Sequence, residues 1–153
     1  MKIVITEKHY NLIVEQIVKG EEITPEKYVI HSSNPLNRDS ISKHGIKSSL
    51  GECYSIYADV NYKKGEKCIP AVFATNSLKK RELFDSTYDD DLWVIDTEIA
   101  NVQWYKDAHF GSEDKHIVTF EDIPVESIRL VYKGTGKDLI DSVYLGDDEV
   151  PIN

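Results

Sequence analysis

Residues 27–49 read KYVIHSSNPLNRDSISKHGIKSS, and the fold turns on how this stretch is divided. Tyr28, Val29 and Ile30 are aromatic or β-branched, so 27–31 predicts a strand that ends at His31. Residues 32–37 hold two Ser, two Asn and Pro35, which predicts a polar, turn-rich loop. Asn37 is placed to cap a short helix over Arg38 to His44, and Gly45 to stop it. Ile41 and Ile46 are the apolar positions expected to face inward.

Upstream, residues 6–19 predict a helix. Thr6 is its N-cap, Tyr10, Ile13 and Ile17 recur at helical spacing, and Gly20 ends it. Downstream, residues 51–68 fit either a strand or an irregular segment, with a turn at residues 63–66. PAVFAT (70–75) predicts a buried strand whose proline takes the first position. Leu78 to Phe84 predicts a short helix, and DSTYDDD (85–91) a solvated acidic loop. Strands are expected at Leu92–Ile95, His116–Phe120 and Ser127–Tyr132. The aromatic-rich segment 101–115 between them has the length of a functional or mobile loop. From Gly134 on, Gly and Asp predict a tail that wraps the domain or frays. Helices do not alternate regularly with strands, which argues against a doubly wound parallel sheet. The expectation is a single α+β domain over 1–153. Its sheet is mixed or antiparallel, with about five to seven strands.

The chain has 153 residues, enough for a core without staples. No apolar run approaches the ~20 residues that span a bilayer, and MKIVITEKHY lacks the apolar core of a secretory signal. A cytoplasmic protein without membrane contact is therefore expected. Cys53 and Cys68 do not form a secreted disulfide framework, so free thiols are the default and a Cys53–Cys68 bridge is the lesser alternative. The formal charge of −9 repels phosphate backbones, which makes a protein a better-suited macromolecular partner than nucleic acid. The basic clusters Lys63, Lys64, Lys67 and Lys79, Lys80, Arg81 are short, and each contains or adjoins a Glu.

His31 is the first candidate for chemistry. An imidazole at a strand end that opens into a polar loop can exchange hydrogen bonds with a ligand hydroxyl. The alternative is a half-buried histidine bonded to backbone. Tyr54, Tyr57, Tyr62 and Tyr88 are candidate stacking platforms, weighed against ordinary core packing. Asp89, Asp90 and Asp91 lack the spaced ligands and glycine turn of a calcium loop. Cys53, Cys68, His31 and His116 lack the close Cys-x-x-Cys pair of a zinc site. Gly134-Thr135-Gly136-Lys137 lacks the spacing of a phosphate loop. Trp93 and Trp104 are expected as core anchors.

KYVIHSSNPLNRDSISKHGIKSS resembles the opening of ADP-ribosyltransferase-like domains: a strand ending in His, a polar loop, a short helix with an inward Ile, then Gly-Ile. PAVFATNS resembles the second strand of that superfamily, in which an aromatic and a small hydroxyl residue alternate toward the site. HIVTFEDIPVESIRLVY resembles its late strand, Ile-Pro and final strand. The resemblance implies a split sheet and NAD as substrate. It implies His31 at the adenosine ribose, with Ser32, Ser33, Phe73 and Thr75 lining the site and Tyr54 or Tyr57 on a loop over the ligand. It further implies a catalytic Glu at the start of the late strand. This chain has Lys115 and His116 there, so Glu113 just before and Glu121 just after are the carboxylates available. Related RNA 2′-phosphotransferases dispense with that Glu but use several Arg, and Arg38, Arg81 and Arg129 do not match their placement. The helix ITEKHYNLIVEQ looks like short leaders of tailed-phage proteins, which implies a phage or bacterial source. The expected activity is transfer of ADP-ribose to a macromolecule. The alternatives are a catalytically silent nucleotide- or protein-binding module and an accessory protein acting through its surface.

Overall fold

The structure is a computed structural model that describes residues 21–50, 53–55, 68–83, 88–107, 115–138 and 148–152. The predicted helix over 6–19, Tyr57, Tyr62 and Glu113 lie outside the described residues. The strands are β1 (Glu22–Ile23), β2 (Tyr28–Ser33), β3 (Cys53–Ser55), β4 (Cys68–Pro70), β5 (Val72–Thr75), β6 (Asp91–Asp96), β7 (Trp104–Lys106), β8 (His116–Thr119) and β9 (Ile128–Tyr132). The α-helices are α1 (Arg38–His44), α2 (Lys80–Leu83) and α3 (Thr97–Ala100). Among the described residues, seven strands form one open sheet in the order β1-β7-β8-β5-β2-β6-β9, and β3 pairs with β4 separately. Every described pairing is antiparallel. Among these residues no helix is long and apolar enough to cross a membrane.

Both faces of the sheet are covered. The pleat sends Val29, Trp93, Ile95, Val72, Ala74 and Ile117 to one face, where Ile41 of α1, Ala100 of α3, Ile46 and Ile123 close a core. Ile30, Leu92 and Val94 point the other way and pack on Leu83 of α2 and on Val150. Val72 and Val94 both lie in the short apolar stretches from which strands were predicted.

α1 has the predicted bounds, and Gly45 ends it at φ 77° with its N–H on the Ile41 carbonyl. Asn37 makes no side-chain cap. Asn34 instead accepts from the Leu36 N–H and starts a 3-10 turn ahead of the helix. The strand before it is longer than predicted. β2 runs on through Ser32 and Ser33, which pair with Leu92 and Asp91, so His31 lies inside the strand rather than at its end. Cross-strand pairing with β6 overrides the low strand preference of serine.

Two further corrections concern polar segments. The stretch 101–115 was expected to be loop, yet Trp104–Lys106 pairs with both β1 and β8. The acidic stretch 85–91 was expected to be solvated, yet Asp91 opens β6 fully buried. The tail wraps rather than frays over its described parts: Gly136 donates to the Asp89 carbonyl, and Val150 to that of Leu78.

Candidate functional site

His31 sits at a seam in the sheet. β2 pairs with β6 along its whole length, from Tyr28↔Asp96 to Ser33↔Asp91. With β5 it shares one pair, Ile30↔Thr75. Past Ile30, His31 Nδ1 lies 2.7 Å from the Phe73 carbonyl oxygen, and on the other side of the pair the Glu26 N–H donates to Asn76 Oδ1 at 2.8 Å. A carbonyl oxygen only accepts, so Nδ1 carries the proton and donates.

Desolvation by the surrounding protein pushes the His31 pKa below its ordinary value, outweighing the upward pull of the Phe73 hydrogen bond. The ring is therefore neutral at pH 7, and Nε2 holds a lone pair. The residue keeps partial exposure to solvent. Trp104 Nε1 is the one described buried side-chain N or O that lacks a partner, so His31 Nε2 is not an orphaned atom sealed in the core.

The other predicted residues distribute around this seam. Ser32 is exposed, on the opposite face from His31, and its hydroxyl donates to Asp90 Oδ2 at 3.3 Å. Ser33 is buried, and its hydroxyl accepts from Trp93 Nε1 at 3.1 Å, which fixes the indole in the core. Thr75 shares the face of Ile30 and stands across from His116. Phe73 also shares that face, and its ring packs with Tyr105 and Val118. Its contribution to the seam is thus its carbonyl. Tyr54 pairs with Ile69 in the β3–β4 ladder.

Glu121 does not come together with His31. It follows β8, two strands or about 10 Å from β2. Its carboxylate accepts from the Gln103 N–H at 2.7 Å and so secures the turn into β7. His116, the first residue of β8, stands across from Thr75.

No family model matches the sequence, and no curated protein does.

Two polar networks near the ends of β2 and β5 were not singled out from sequence. In the first, Arg38 of α1 grips Asp91 through Nε at 2.8 Å and Nη2 at 2.6 Å. Asp91 also accepts from the Gly134 N–H, and Arg38 donates to the Gly134 carbonyl. Asp89 accepts from Tyr132 OH and from Thr135 N–H and hydroxyl. The Tyr132 bond above all holds its carboxyl below the usual range. These bonds lace the segment after β9 to the start of β6. In the second network, Glu82 of α2 pairs with Lys115 at 3.4 Å. The Ser77 hydroxyl, ahead of that lysine, lowers the Glu82 pKa. This ties α2 to the start of β8. A lone Arg, or a Glu within KKREL, gives no pattern that separates such anchors from solvated charge.

Proposed function

We propose that the protein binds NAD at the β2–β5 seam, in the manner of ADP-ribosyltransferase-like domains, and uses it as a donor of ADP-ribose to a macromolecule. The observation that carries this reading is the arrangement of the three segments that resemble the superfamily. Their leading strands, β2, β5 and β8, are adjacent, with a neutral imidazole bridging the one-pair seam between the first two, while the last strand of the third segment, β9, lies beyond β6. The resemblance implies a split sheet, and here a single pair joins β2 to β5 within one seven-stranded sheet, while a neutral imidazole suits a ribose hydroxyl.

Breaking the nicotinamide bond leaves positive charge on the ribose, which a carboxylate would steady. Glu113 is the candidate, because it precedes the strand whose first residue stands across from Thr75. Its acceptor would be a protein, in keeping with the charge of −9.

A second reading is a silent nucleotide-binding module. It is favoured by Glu121, which is engaged by the Gln103 N–H and stands apart from His31. Thermal unfolding with and without NAD tests what the two readings share: NAD at a hundred times its Kd should add about 2.7 kcal/mol of stability. His31→Ala should lose that protection, and its retention would sink the site. Release of nicotinamide from NAD then separates the two readings. The enzyme predicts slow release that Glu113→Gln abolishes, and the module predicts none.

A further inference from the structure

Strands β3 and β4 form a ladder of three pairs: Cys53↔Pro70, Tyr54↔Ile69 and Ser55↔Cys68. Paired residues share a face of a ladder, and so do residues two apart on one strand. The register therefore puts the chain's two cysteines, Cys53 and Cys68, on one face as diagonal neighbours. We infer that they form a redox-sensitive clasp: two thiols under reducing conditions, and under oxidising ones a disulfide that encloses residues 54–67. The inference is independent of the NAD reading.

Spacing and setting make the clasp reversible. Diagonal Cα atoms in a ladder stand about 7–8 Å apart, and a disulfide usually holds its Cα atoms within about 6.8 Å. Closure therefore draws the two strands together by roughly an ångström. Among the described residues this ladder is separate from the seven-stranded sheet, and an isolated pair of strands is held weakly enough to give. The same displacement opposes the bond, and a strained disulfide is one that a thiol buffer reduces. Glutathione disulfide is a sufficient oxidant. One cysteine thiolate attacks it, forming a mixed disulfide and expelling a glutathione thiolate, and the other cysteine thiolate then displaces the second glutathione. The two protein thiols lose two electrons and two protons, which leave with two molecules of glutathione. The clasp stands close to the main sheet, because Ala71 alone separates β4 from β5, whose Phe73 carbonyl bonds His31.

The test equilibrates the full chain in glutathione buffers from fully reduced to fully oxidised, caps free thiols with N-ethylmaleimide and weighs the intact protein by mass spectrometry. At the reduced end both cysteines should carry the cap. At the oxidised end the chain should take none and weigh two hydrogens less than the uncapped reduced chain, and digestion should yield peptides linked through Cys53 and Cys68. Return to the reducing buffer should restore both caps. Amide hydrogen exchange over Cys53–Ser55 and Cys68–Pro70 should slow in the oxidised form. In Cys53→Ser that slowing should vanish. The main comparison is between two states of the wild type, so it does not depend on a variant's folding. Glutathione retained on each wild-type cysteine, a bridge between two chains, or a bond that the reducing buffer leaves intact would each overturn the clasp. So would exchange that oxidation leaves unchanged, or slowing that persists in Cys53→Ser.

Discussion

His31 shows how one side chain can join two parts of a sheet. Its neutrality has a consequence for stability. A histidine whose folded pKa lies below 6.5 binds fewer protons than the unfolded chain does once the pH drops under that value. Stability therefore falls as pH decreases from 6.5, and the loss levels off when pH passes below the folded pKa. Asp89, Asp122 and Glu82 also have lowered pKa values, for them because hydrogen bonds favour the carboxylate, but their losses begin only near 4.5 and below. Denaturant unfolding of wild type and His31→Asn between pH 7 and 5 isolates this histidine from the other four. The wild type should lose stability across that window, and His31→Asn should lose less. Identical slopes in the two proteins would show that the ring costs nothing to protonate in place.

The elements show where local sequence suffices and where it does not. α1 was legible to the residue because its stop signal is local. Gly45 stands at φ 77° and ψ −170°, a region closed to other residues, and a Cβ there would overlap the Ile123 carbonyl oxygen. That close approach lets Ile46 and Ile123 exchange two backbone hydrogen bonds, of 3.0 and 2.9 Å, beneath the core. Gly45→Ala should cost on the order of 3 kcal/mol, read as a lower denaturation midpoint with NAD absent. A change within experimental error would mean that the bridge shifts freely. β7 and Asp91 were not legible, because their partners are remote. β7 owes its pairing to β1 and β8, and Asp91 owes its burial to Arg38 and to Gly134, forty-three residues away. The buried Asp91 carboxylate accepts from three donors, so Asp91→Ala should destabilise the protein far more than Asp90→Ala. In a run of three aspartates no periodicity distinguishes the two, yet urea titrations of both variants should. Gly134→Ala should resemble Asp91→Ala in direction, since a Cβ there would overlap the Asp89 carbonyl oxygen.

At the scale of the molecule, the sheet consists of two ladders, β1-β7-β8-β5 and β2-β6-β9, that meet at Ile30↔Thr75. Both β2 and most of β5 lie in stretches read as strands from sequence, but the seam itself depends on how few pairs form between them, and that is a property of tertiary register. Within each ladder, backbone hydrogen bonds follow one another along the strands, so opening one amide requires opening its neighbours. Across the seam one strand pair, Ile30↔Thr75, joins the two ladders, and past it an imidazole bonds a carbonyl. Local opening should therefore concentrate there. Hydrogen exchange should find amides on the β5-facing side of β2 past Ile30, and of β5 before Thr75, less protected than those of Val94 or Val118. A ligand seated between the ladders would hold both edges, so NAD should slow those seam amides and leave the ladder interiors unchanged. Uniform protection across all seven strands in the free protein would mean that the two ladders behave as one rigid sheet, and a ligand would then have no seam to enter.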